Sequence, residues 1–63
     1  MSRVLCSAVV NGVSDEPPYK RYTIVVTGAG DHDGIRRTYS IVGGTEDAAA
    51  IEGIRRFVAE HEK

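Results

Sequence analysis

The stretch Tyr19-Lys20-Arg21-Tyr22-Thr23-Ile24-Val25-Val26-Thr27 decides the fold of this chain. β-Branched and aromatic side chains dominate it. Tyr22, Ile24 and Val26 alternate with Arg21, Thr23, Val25 and Thr27, the two-residue period of a strand with one buried face. Ile35 to Val42 alternates in the same way, with Ile35, Arg37, Tyr39 and Ile41 opposed by Arg36, Thr38, Ser40 and Val42. Between the two runs, Gly28-Ala29-Gly30-Asp31-His32-Asp33-Gly34 is turn chemistry throughout, so a hairpin is expected. Pairing Ile24 with Tyr39 and Tyr22 with Ile41 puts both apolar sets on one face, with Thr23 beside Ser40 and Thr27 beside Arg36 on the other. A slip of one residue would destroy that match.

Upstream, Arg3 to Val10 carries short apolar or hydroxylic side chains, with Val4, Cys6, Ala8 and Val10 on one face and Leu5, Ser7 and Val9 on the other. Two apolar faces read as a central or well-covered strand. Asn11 to Pro18 collects Asn-Gly, Ser-Asp and Pro-Pro and reads as a loop, with Pro18 fixing where the next strand can begin. After Gly43-Gly44, Thr45 followed by Glu46 and Asp47 opens a helix: a hydroxyl N-cap, then two acids where the helix dipole favours them. The helix is expected to run to about His61 with an apolar stripe of Ala50, Ile51, Ile54, Phe57 and Val58. Gly53 costs about 1 kcal/mol against alanine in a helix interior, which close approach of a neighbour would explain. The expected architecture is α+β, a three-stranded antiparallel sheet with one C-terminal helix packed on one face (β-β-β-α), forming a single domain over residues 1–63.

A chain of 63 residues buries only about 60% of its unfolded surface, and domains of this size usually lean on a disulfide, a metal or self-association. Cys6 is the one cysteine, which rules out an internal disulfide and fits a reducing cytoplasm. Val4 to Val13 is too short and interrupted to span a bilayer, and Met1-Ser2-Arg3 is not followed by a secretory hydrophobic region. A cytoplasmic, membrane-free protein is expected. Eight Lys plus Arg against nine Asp plus Glu argue against electrostatically driven nucleic-acid binding. A sheet covered on one side leaves an open face and two edges, so a homodimer is expected.

Ile24-Val25-Val26-Thr27-Gly28-Ala29-Gly30 resembles the strand and glycine turn that open short-chain dehydrogenase domains. That turn needs a further glycine and a following helix to hold a pyrophosphate. Here His32, Asp33 and a strand follow, so a hairpin loop is the expected reading. Asp31-His32-Asp33 has metal-type side chains. Val42 stands where a calcium loop would need its closing Glu, and His61 is expected at the far helix end. Cys6 has no identifiable base, and no serine-histidine-acid set is assembled. The chain therefore reads as a non-enzyme with no catalytic residue, cofactor or metal.

The outer sheet face is the remaining candidate, a hydroxyl-rich surface on which Arg21, Thr23, Val25, Arg36 and Thr38 are the partner-binding residues. Arg37, on the helix side, is expected to pass the helix edge or pair with an acid. Two alternatives stay open: nucleic-acid binding by a β-β-β-α module, and small-ligand or metal binding by the Gly28 to Gly34 loop. The order of elements resembles the C-terminal part of a double-stranded RNA-binding domain, but Thr45-Glu46-Asp47 stands where such modules present basic residues.

The Met1-Ser2-Arg3 start, valine-rich strand, proline-containing loop, tyrosine-bearing hairpin and helix opening Asp47-Ala48-Ala49-Ala50 together resemble small phage-encoded anti-CRISPR proteins. The resemblance is one of size, element order and style. It implies a non-catalytic protein partner, a host defence complex that the chain blocks by binding it inside a bacterial cell.

Overall fold

A computed structural model describes residues 4–61. Three strands, β1 (Leu5–Glu16), β2 (Tyr19–Ala29) and β3 (Arg36–Gly43), form an antiparallel meander in the order β1-β2-β3, and the helix α1 (Glu46–His61) packs across one face. This is the expected β-β-β-α fold. No helix among the described residues is long and apolar enough to cross a membrane.

The β2–β3 register is the one the alternation dictates: Tyr22 opposite Ile41, Thr23 opposite Ser40, Ile24 opposite Tyr39 and Thr27 opposite Arg36. The 3-10 turn Gly30–His32 joins these strands, with Gly30 and Gly34 at φ +60° and +89°, where side chains are strained. Tyr22, Ile24, Val26 and Ile41 supply the buried face of the sheet, with Ala49 and Phe57 from the helix. Tyr39, expected in the same core, is only half-buried.

The first strand departs from expectation. Its proposed start at Arg3 lies outside the described residues, but Asn11 to Pro18 is not a loop. β1 continues through Glu16, and only Pro17-Pro18 turns the chain into β2. The Asn-Gly pair is absorbed by a β-bulge between Val10 and Gly12, so a turn signal became a local bend within a continuing ladder. β1 also pairs with β2 alone. It is an edge strand, and its second apolar face is uncovered: Leu5 and Val9 are 50% and 62% exposed.

The helix opens as expected, the Ala48 amide donating to Thr45 Oγ1 at 3.1 Å. Its buried line, however, is Ala49, Gly53 and Phe57, and Ile51 is 59% exposed. The cause is Gly53. A β-carbon there would stand 2.7 Å from Ile24 Cγ2, so the helix rests on the sheet through its glycine and the residues four before and four after it. Ile51, two positions from both Ala49 and Gly53, points away; Ala50, Ile54 and Val58 are half-buried at the flank.

Candidate functional site

The outer face of the sheet is built from the residues that alternate with the core. Successive cross-strand rows are Ser7-Thr27-Arg36, Val9-Val25-Thr38 and Gly12-Thr23-Ser40, followed by Ser14-Arg21-Val42. The candidate residues Arg21, Thr23, Val25, Arg36 and Thr38 thus share one surface, and Thr23, Val25 and Thr38 lie together at its centre. The two arginines do not meet. Arg21 stands in the last of these rows and Arg36 in the first, six residues of β2 apart, which is about 20 Å along a strand.

Their electrostatic states also differ. Arg21 is gripped by Glu16 in a two-pronged pair, Nε to Oε2 at 2.7 Å and Nη2 to Oε1 at 3.0 Å, while Nη1 donates to Ser40 Oγ at 2.9 Å. These bonds to Arg21 hold the Glu16 carboxyl below its ordinary value and raise the guanidinium above its own. Arg36 has no acid within ion-pair distance among the described residues. The centre between them is neutral, with hydroxyls and short branched side chains, and the helix covers the opposite side.

The helix side carries its own polar lattice along β3. Arg37 Nε donates to Glu60 Oε1 at 2.8 Å, and the Tyr39 hydroxyl donates to Glu60 Oε2 at 3.2 Å. Arg37 therefore pairs with an acid, as expected. The bond from Arg37 lowers the Glu60 carboxyl, and burial followed by the bond to Glu60 raises the Tyr39 hydroxyl. Glu52 and Arg56 form the i,i+4 pair at 3.2 Å and line a cleft of about 330 Å³ with Ile41, Val42, Gly43, Ala48 and Ala49.

The Gly28 to Gly34 segment does not expose its three metal-type side chains together. Asp31 and Asp33 are exposed, whereas His32 turns inward. A β-carbon at Gly28 would collide with the His32 carbonyl oxygen, so that glycine lets the turn fold back over the strand. The sequence suggested that His61 lies far from this loop, and the structure corrects that. The helix runs back toward it, and the His32 and His61 rings lie 5.4 Å apart in an edge arrangement, with Phe57 against His61 at 4.3 Å. His61 Nδ1 donates to the Phe57 carbonyl at 2.9 Å, and His32 Nδ1 is buried without a partner. Only the helix direction could have revealed this pair. Among the described residues no three His, Cys, Asp or Glu side chains gather as metal ligands. Cys6 is half-buried on the helix-facing side of β1, opposite Gly28.

No protein-family model matches this chain, and no curated protein or solved structure matches it.

Proposed function

We propose that this chain is a non-catalytic protein-binding module that docks its partner on the outer face of the sheet, centred on Thr23, Val25 and Thr38 with Arg36 at one end. The observation that supports this reading is the uncovered face itself. Strand pairing holds its short side chains in fixed rows, and exposed Leu5, Val9 and Val42 extend its apolar surface. A rigid, neutral centre with charge only toward the ends suits a protein surface, because desolvating it strands no unpaired charge. The resemblance to anti-CRISPR proteins makes a host defence complex the partner to test first, with the chain acting as an inhibitor by occupancy.

The test is co-elution with purified CRISPR effector complexes together with their target cleavage. Wild-type chain is expected to form a stoichiometric complex and suppress cleavage, and Val25→Lys with Thr38→Lys to lose both while melting normally. Equal binding by that variant and the wild type would remove the outer face from the reading. Absence of complex and inhibition would remove the defence-complex partner.

A further inference from the structure

The geometry points to the free edge of β1 as the place where a second copy of this chain adds, antiparallel, to make one six-stranded sheet with both helices on the same face. Two independent features lead there.

The first is the edge itself. From Leu5 to Val10, ahead of the bulge, it carries no charge and no proline, two of the devices that keep an edge from pairing. The other edge, β3, carries Arg36 and Arg37, so self-pairing there would bring guanidinium groups together. The outward backbone groups can be identified. Gly28 donates to Ile35 across the β3 side at 2.8 Å. By alternation Thr27 and Val25 turn to Ser7 and Val9, and the N–H and C=O groups of Cys6, Ala8 and Val10 face outward. The bulge after Val10 ends the regular segment. A two-fold axis normal to the sheet keeps each face on its own side. It then pairs Cys6 with the second copy's Ala8, Leu5 with its Val9, and Ser7 with its Ser7.

The second feature is the helix. On the β3 flank of its contact line stand Glu52, Arg56 and Glu60, engaged with β3 or with one another. The β1 flank is apolar instead: Ala50, Ile54 and Val58 are half-buried, and Ile51 beyond them is 59% exposed. In the paired sheet the two β2 strands lie about 14 Å apart, and this flank of each helix faces the other.

The test is mass by sedimentation equilibrium at high micromolar concentration, with amide exchange read residue by residue. We expect twice the chain mass, and the Cys6 and Ala8 amides slowed roughly tenfold or more on going from dilute to concentrated protein. Ser7 and Val9 amides, already bonded to β2, should change little. Ser7→Glu sets two carboxylates opposite each other and should give a monomer; Val9→Lys is the second variant should the first fail to fold. Val25→Lys, which probes partner docking, should leave the dimer intact, so the two readings fail separately. A monomeric wild type, or a dimer that Val25→Lys breaks or that leaves Cys6 and Ala8 unprotected, overturns the inference.

Discussion

Gly53 meets Ile24 so closely that a β-carbon at position 53 would stand 2.7 Å from Ile24 Cγ2 and 3.3 Å from its Cβ. Both atoms sit at the branched root of a fully buried side chain, so neither can swing aside. Gly53→Ala should therefore destabilise the chain although alanine favours the helix by about 1 kcal/mol. Overpacking costs of about 1–3 kcal/mol set the net sign. Denaturant midpoints measure it, and in combination with Ile24→Ala the two effects should be less than additive. A stabilised Gly53→Ala would mean that the helix does not seat on this glycine.

The rotation of the helix about that contact makes a paired prediction. Phe57 is fully buried, so Phe57→Ala should cost about 3–5 kcal/mol, enough to unfold much of so small a domain. Ile51, at 59% exposure, should tolerate alanine within about 0.5 kcal/mol. Thermal melts of the two variants in dilute, monomeric protein suffice, and equal losses would restore Ile51 to the buried stripe.

Hairpin and helix ends were legible because their signals agree: Tyr22, Ile24 and Val26 match Tyr39 and Ile41 in only one register, and Thr45 caps where its hydroxyl suggests. Asn11-Gly12 was not, since the same dipeptide serves a turn or a bulge, and what decides is the β2 strand already beside it. Ile51 looked buried because apolar character and helical spacing do not reveal how near a glycine lets two elements come. The outer face could be read residue by residue, but the Glu16–Arg21 pair could not, because it requires β1 to run to its end beside β2.

Glu60 links pH to this packing. Its carboxyl is lowered chiefly by the bond from Arg37, so the folded state binds its proton less readily than the unfolded state does. That contribution is present above the ordinary carboxylate range and is lost as pH falls through the lowered folded value. Tyr39 works from the other side. Its hydroxyl is raised, so its contribution is complete below about pH 10 and is lost as pH rises through the raised folded value. Stability measured against pH should fall at both ends. Glu60→Gln should shrink the acid limb, and Tyr39→Phe the alkaline one. An unchanged acid limb in Glu60→Gln would show that the Arg37 pair does not form in solution.

Salt dependence separates a protein partner from a nucleic acid on the outer face. Among the face's described residues the charges are Glu16, Arg21 and Arg36, and Glu16 already neutralises Arg21. One arginine is left. Each phosphate neutralised on duplex DNA contributes a slope of about −0.9 in log K against log salt. A polyanion bound through this face could thus gain a slope of only about one, too shallow for electrostatic capture. A protein partner bound through Thr23, Val25 and Thr38 should also show a shallow slope, with Arg36→Ala flattening it further and Glu16→Gln with Arg21→Ala, which together remove both charges of the pair, scarcely altering it. Titrations at several salt concentrations give these slopes directly. A slope several times larger, or one that falls as much with that double variant as with Arg36→Ala, would mean that the Glu16 pair opens on binding and that the face acts as a basic surface.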